Sequence, residues 1–305
     1  MPVGETPCGI AIPQTNSPVD LKLIREFLAK AEKLGYESTW VQEQIISDSP
    51  ILEPVTLLTY AAALTSKMRL GTSVLLTVIR NPVQLAKSLA SLDQLSQGRL
   101  TVGVGIGGPH VPEKIFGISS ERRARQFVEG LQVMKALWTE PRASFSGEFW
   151  HLENVPMEPK PFQKHLPLWF GARESLALKR AVRHGDGWMG AGSSASVDFI
   201  KQVGEILRFL EEANRDPATF AISKRVYLAI DNDRARAERR LREWFGVRYK
   251  NADMAARVSI WGSVAECVDK LGELVRAGAK HLLLNPVFDE MEHLELLAAE
   301  VLARL

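Results

Sequence analysis

The sequence predicts a (β/α)8 barrel, and three observations carry that prediction. Short β-rich apolar runs alternate with amphipathic helical segments along 305 residues, a length that suits one large barrel. Residues 69–108, RLGTSVLLTVIRNPVQLAKSLASLDQLSQGRLTVGVGIGG, read as strand, helix and strand, a crossover that joins parallel strands. No repeat, low-complexity tract or linker divides the chain, so residues 1–305 are expected to form a single domain.

The elements follow in order. Residues 8–13 (CGIAIP) form the first strand. Pro18–Leu34 is an amphipathic helix with Leu21, Ile24, Phe27, Leu28, Ala31 and Leu34 on its apolar side and Gly35 as its stop. Ser38–Val41 is the second strand, with the polar exit Gln42-Glu43-Gln44, and Pro54–Thr65 the second helix. Arg69–Leu76 is the third strand. Asn81-Pro82 opens the third helix with proline at its first position, and Gly98 ends it. Thr101–Gly107 is the fourth strand. The loop beyond Gly108 is too long for a plain connection, and a helix capped by Ser119 or Ser120 runs to Trp138. Residues 145–162 read as a small hairpin and an extended segment. The barrel thus carries two insertions, one after strand four and one around residues 142–165. Leu168–Phe170, Gly187–Met189, Phe220–Ile230 and His281–Val287 supply the last four strands. Helices over 174–184, 194–213, 234–245, 263–277 and 290–305 accompany them, and residues 249–260 carry no clear signal.

Composition narrows the function classes. The chain is 46% hydrophobic and 24% charged with a net charge of +2, which gives no case for nucleic acid or a membrane surface. No apolar run approaches the ~18 residues of a membrane span. The first residues lack the charged start and apolar core of a secretion signal. Cys8 and Cys267 are the only cysteines, and both fall in predicted elements. A cytoplasmic protein with reduced cysteines and no metal site is the simplest account.

In such barrels chemistry sits at the C-terminal strand ends. That rule selects Pro13-Gln14, Glu43-Gln44, Leu75–Arg80, Gly105–His110, Gly171–Arg173, Gly190–Ser194 and Asn285. These positions are rich in glycine and amides and poor in acid–base pairs. No metalloprotease motif, carboxylate pair or Ser–His–Asp order appears among them, which disfavours a hydrolase or a metal enzyme. A cofactor that carries the chemistry suits them better. Gly103, Gly105 and Gly107 share one strand face. They read either as room for a flat ligand or as a crowded interior that admits only glycine. Gly171-Ala172-Arg173 and Gly190–Ser193 each precede a helix, where free N–H groups hold phosphate or simply cap. Glu43 reads as a site acid or a solvated loop carboxylate. His110 reads as a substrate contact or a surface histidine, and Arg80 as an anion holder or half of an ion pair. Asp93 and Arg99 read as a structural pair at the closed end of the crossover. Residues 234–242 (RARAERRLR) read as a solvated charged face.

These segments, taken together, resemble the bacterial luciferase-like monooxygenase superfamily. The resemblance rests on LGTSVLL, RNPVQLAKSLASLDQLSQGRLTVGVGIG, GEFWHL, PLWFGA and RAVRHGDGWM, in family order from Cys8 to about Gly192, with IWGSVAECVDKLGELVRAGAKHLLLNPV at the end. It implies a (β/α)8 barrel that binds reduced coenzyme F420 or FMN for hydride transfer or oxygen activation on a small organic substrate, usually as a homodimer. It implies that Ser73 and Val74 lie under the cofactor ring at a non-proline cis peptide, with Gly105 and Gly107 flanking the ring; Pro13, at the end of the first strand, is a further cofactor-binding candidate. Gly171, Ala172, Arg173, Gly190, Ala191, Gly192 and Ser193 would take the phosphate, and Glu43, Gln44 and His110 are the candidate catalytic residues. Many deazaflavin-dependent relatives carry an acid followed by histidine after strand two, where this chain has Glu43-Gln44. Some place a glutamate where it has Gly108. A flavin-binding barrel without catalysis, or a phosphate-binding isomerase or lyase, are the competing classes.

Overall fold

The computed structural model describes residues 6–15, 18–108, 111, 113–118 and 121–305. His110, Ser119 and Ser120, singled out above, lie outside the described residues.

Ten strands form one parallel sheet that closes on itself. In chain order the first are β1 (Cys8–Ala11), β2 (Ser38–Val41), β3 (Arg69–Thr72), β4 (Leu75–Leu76) and β5 (Leu100–Gly105). β6 (Ala143–Ser146) and β7 (His151–Val155) form a separate antiparallel hairpin. β8 (Leu168–Gly171), β9 (Gly187–Gly190), β10 (Ala221–Ile230), β11 (Ile260–Gly262) and β12 (His281–Pro286) complete the set. Around the barrel the order is β1, β2, β3 with β4, β5, β8, β9, β10 and β12, which returns to β1. β3 and β4 occupy one barrel position, and β11 pairs with the C-terminal half of β10. Eight positions therefore close, as the alternation predicts.

The helices are α1 (Leu21–Lys33), α2 (Pro54–Leu64), α3 (Pro82–Leu95), α4 (Glu113–Phe116), α5 (Arg123–Thr139) and α6 (Ser175–His184). α7 (Ser196–Glu212), α8 (Arg234–Tyr249), α9 (Met254–Val258), α10 (Val264–Arg276) and α11 (Glu290–Glu300) follow. Asp20 rather than Pro18 starts α1, because its carboxylate accepts the N–H groups of Lys22 and Leu23. Asn81 caps α3 in the same way, with Pro82 at its first position. Arg122, in left-handed conformation, precedes α5.

Four details differ from the sequence reading. The third strand is not continuous over 69–76: the Ser73–Val74 peptide is cis, as the family resemblance implies, and it splits β3 from β4. Residues 249–260 do hold structure: the end of α8, then α9, leading into the short β11. The fourth strand ends at Gly105, and Gly107 lies beyond it with φ +81°. Asp93 and Arg99 are both structural but not paired with each other. Asp93 accepts Gln163 N and Nε2, which ties the 142–165 insertion to α3. Arg99 donates to the carbonyls of Ala62, Thr65, Ser96 and Met68, closing the end of α2.

The hairpin turn is organised by a residue the sequence reading did not single out. The buried Glu129 carboxylate accepts the N–H groups of Glu148, Phe149 and Trp150 at 3.1, 2.6 and 2.8 Å. Four of the five arginines in the charged run on α8 form ion pairs: Arg234 with Glu266, Arg236 with Asp231, Arg240 with Asp289 and Arg242 with Asp253. That is the solvated charged face expected of it.

Candidate functional site

The barrel interior is layered. Its floor is polar: His281 on β12 lies between Ser223 Oγ at 2.8 Å and Ser38 Oγ at 3.1 Å, and Trp40 Nε1 donates to Ser38 Oγ. Above it sit Trp40, Met189 and Leu283, with Ala11, Val74 and Trp169 packed against them. Trp40 and Trp169 stack with ring centroids 5.3 Å apart. Such a large aromatic layer is possible because Gly9 and Gly71 leave space for the Trp40 indole.

The cis Ser73–Val74 bulge decides what the glycine strand is for. A β-carbon on Gly103 would lie 1.9 Å from the Thr72 carbonyl oxygen, and one on Gly105 would lie 2.7 Å from a Val74 methyl. One on Gly171 would meet both Val74 methyls at 3.0 and 3.2 Å. The glycine face therefore receives the chain's own bulge, which is the crowded-interior alternative.

At the mouth, a cleft is lined by Pro13, Gln14, Gln42, Ser73, Trp244 and Asn285 among others. Pro13, Gln14 and Ser73 are thus brought together as expected. Gln14 and Gln42 clasp each other, with two hydrogen bonds of 2.8 Å through the Gln42 backbone. Glu43 points elsewhere. Its side chain is fully buried, accepts Leu76 N–H and pairs with Arg80, which also reaches Glu53 at 2.9 Å. Burial pushes the Glu43 carboxyl up, and Arg80 opposes that shift. The solvated-loop alternative for Glu43 is wrong, and the ion-pair alternative for Arg80 is right. Gln44 is half-buried on the same loop.

A second feature lies at the exits of β8 and β9. Gly171-Ala172-Arg173 leads to α6, and Gly190–Ser193 to α7. Neither helix has a side-chain cap from its N-cap residue, Glu174 or Ala195. Asp198 accepts Ala195 N–H at 3.2 Å, and the next N–H groups of α7 remain open at the helix start. Arg173 donates to Ser193 Oγ, so the two loops meet. Lys224 on β10, 2% exposed, donates to the carbonyls of Ala191 at 2.6 Å and Ser194 at 2.8 Å. Burial first, then Arg173, lowers its pKa to about 7. Gly192 is needed here, since a β-carbon would come 2.7 Å from the Tyr227 ring. Two joined, uncapped helix starts with a cation at their junction fit a phosphate group.

Sequence reasoning missed Lys224 and Arg225, two cations inside the apolar run of β10. Arg225 donates to Asn285 Oδ1, to Gln42 Oε1 at 2.8 Å and to the Ser73 carbonyl at 3.3 Å. Among the described residues no group of three or more metal-ligating side chains forms, and no helix is long and apolar enough to cross a membrane.

An eight-stranded parallel barrel with a bulged third strand, a cleft at its mouth and a helix-start pair after its fifth and sixth positions has luciferase-like architecture. The chain belongs to the luciferase-like monooxygenase family, whose model matches residues 7–281. It is 39% identical over 148 residues to an uncharacterised protein of Mycobacterium tuberculosis, covering 48% of this chain and 52% of that one. The match thus spans about half the length of that relative. It is 28% identical over 231 residues to an F420-dependent glucose-6-phosphate dehydrogenase of Kineococcus radiotolerans, covering 72% of this chain and 68% of that one. In structure it is similar to an F420-dependent secondary alcohol dehydrogenase solved with an F420–acetone adduct. The TM-score is 0.87 at 21% identity, over 98% of this chain and 99% of that one. At that identity the likeness bears on the fold.

Proposed function

We propose that this protein is an oxidoreductase that uses reduced coenzyme F420, with FMN as the alternative, on a small organic substrate. The observation that carries the reading is the Arg173–Ser193 contact. It joins the two uncapped helix starts into one anion-binding corner beside the cleft over the cis bulge. Bound in the mouth, such a cofactor supplies the hydride or activates oxygen, which explains why the strand ends hold few acid–base side chains. Pro13, Ser73 and Val74 would support its ring, while Gly105 makes room for the Val74 side chain beneath it rather than for the ring. Gly171, Ala172, Arg173, Gly190, Ala191, Gly192 and Ser193 would hold the phosphate, and Lys224 would fix the second of these loops from behind. Trp169 and Trp40 exclude water from beneath.

The preference for F420 rests on two supports. One relative named above, the Kineococcus protein, is an F420-dependent dehydrogenase, and the groove leading outward from Ser193 carries Arg173, Lys201, Arg208 and Arg257 against Glu174, Asp198 and Glu205, a small cationic excess suited to a longer acidic tail. Glu43 is read as the anchor of the bulge rather than as a proton donor. Gln44 and His110 remain candidate contacts for the substrate. Action as a homodimer is proposed on the family resemblance and is checked by light scattering of the purified protein, and a cytoplasmic location is proposed on the two free, buried cysteines.

The test is titration of the purified protein with F420 and FMN, each oxidised and reduced, followed by cofactor fluorescence. Tighter binding of F420, and turnover of a carbonyl or alcohol substrate panel with it, is expected. Tight binding without turnover would favour a non-catalytic barrel. Failure to bind either cofactor would end the reading.

A further inference from the structure

Arg225 is buried, 7% exposed as a residue, and lines the mouth cleft together with Gln42, Ser73 and Asn285. Every acceptor it meets is neutral: the Asn285 amide oxygen, the Gln42 amide oxygen at 2.8 Å and the Ser73 carbonyl at 3.3 Å. No carboxylate pairs with it among the described residues. Of its five N–H donors, Nε and both on Nη2 are used, and Nη1 makes one long contact. One N–H of Nη1 is left over, on a side chain in the cleft wall. A buried charge without an opposite charge is costly, and proteins rarely keep one without use.

A second cation stands at the same end. Arg248, at the end of α8, is half-buried and has no hydrogen bond or ion pair among the described residues. Burial lowers its pKa, and the like charge of Arg225 adds to that. Tyr227 lies between the two elements, 5.0 Å beneath the Arg225 guanidinium and bonded to Tyr249 through its hydroxyl. The acid that shares the cleft, Glu290, does not neutralise them. Burial pushes its carboxyl toward the neutral form, and its charged neighbours are Asp289, Glu292 and Arg240.

We propose that the mouth takes a substrate bearing a carboxylate or comparable oxyanion, and that Arg225 is the residue that holds it. This rests on the mouth being the substrate site of the proposed oxidoreductase. The guanidinium is aimed in advance. Asn285 and Gln42 fix two of its edges, and Gln14 fixes Gln42 in turn. The anion would complete the set at Nη1, with Arg248 adding long-range attraction.

The experiment is calorimetric titration of the purified chain with benzoate and with its neutral counterpart benzamide. Benzoate is expected to bind roughly tenfold or more tighter than benzamide, the scale of a charge-assisted hydrogen bond. Arg225→Gln should remove that preference and Arg225→Lys should keep part of it. Asn285→Asp is the second variant, because it sets a carboxylate against Arg225 without removing the side chain. It should abolish the benzoate preference in a folded protein. Equal binding of benzoate and benzamide by the parent, or a preference that survives Asn285→Asp, would overturn the proposal. FMN and F420 titrations on the same proteins separate the two readings. Failure of the parent to bind either cofactor would sink the oxidoreductase, while the benzoate result would still decide Arg225. If Asn285→Asp loses cofactor affinity and keeps its benzoate preference, Arg225 serves the cofactor and the anionic substrate is wrong.

Discussion

The Trp40 indole lies so close to Gly71 that a β-carbon there would stand 2.2 Å from the ring carbon Cε3. Gly9 faces the other edge, with a β-carbon position 2.5 Å from Nε1. The two glycines set the height of the aromatic layer, and so the floor on which the mouth is built. Gly71→Ala must displace either the indole or β3. We expect a loss of about 2–3 kcal/mol, the upper part of the range for overpacking. Urea denaturation of the purified variant measures it, and an unchanged midpoint would show that the ring moves freely.

His281 makes the floor pH-sensitive. It is enclosed, and burial lowers its pKa to about 3. Glu37 at 3.7 Å is partly exposed and does not reverse this. In the unfolded chain the imidazole titrates near 6.5. A base with a depressed folded pKa contributes its full stability above pH 6.5 and loses it as pH falls toward 3. Stability should therefore decline from pH 7 to pH 5, by roughly 1–2 kcal/mol from this residue. His281→Asn should flatten that slope in urea midpoints taken at each pH.

Glu43 shows how far a strand-end rule reaches. The sequence reading made it a site acid or a loop carboxylate. The structure spends it on Leu76 N–H and Arg80. Glu43→Gln keeps an acceptor for Leu76 but leaves Arg80 only Glu53. A stability loss of about 1–3 kcal/mol is expected, below the full cost of breaking a buried pair because one partner remains. Cofactor affinity should fall together with turnover, since the residue after the bulge shifts. A fall in turnover alone, at unchanged affinity and stability, would restore the proton-donor role.

The alternation of strands and helices was legible because apolar β-rich runs and proline- or asparagine-marked helix starts are local signals. β11 was not, since three residues of strand carry no periodicity. The glycine face was visible as a pattern, but its meaning was not: only the Thr72 carbonyl and Val74 methyls reveal what fills it. The Arg225 cluster was invisible for a different reason. It joins Arg225 to Gln42 and Ser73 across separations of 183 and 152 residues, through barrel closure alone. A Lys-Arg pair within an apolar strand gives no local hint of which side each takes. The proposed phosphate corner, by contrast, draws on two glycine-rich strand exits visible in the sequence, to which the structure adds the Arg173–Ser193 contact between them.

Arg173 should matter to the cofactor tail and little to the fold, because its side chain stands at the surface, bonded to Ser193. Arg173→Ala is expected to weaken cofactor binding by about 1.5–3 kcal/mol, the scale of a hydrogen bond to a charged group. The loss should be larger for F420 than for FMN at low salt and shrink as salt rises. Parent-like affinity for both at low salt would leave the phosphate to backbone N–H groups alone.

Lys224 gives the same corner a pH dependence of its own. Its ammonium holds the Ala191 and Ser194 carbonyls and lies over the Phe199 ring, with Arg173, Asp198 and Arg225 as the charges that bear on it. With a pKa of about 7 it is charged in mildly acidic solution and neutral at pH 9. An anion at the loop favours the charged form, so binding draws a proton onto Lys224. Affinity from this residue should then fall as pH rises through 7, by roughly tenfold for each 1.4 kcal/mol of attraction lost. The phosphate works the other way, since it gains its second charge near pH 6. The quantity to measure is therefore the difference between the parent and Lys224→Met in FMN affinity at pH 6, 7.5 and 9. The two proteins should differ most at pH 6 and converge at pH 9. A constant difference across that range would mean that Lys224 holds the loop without changing its charge.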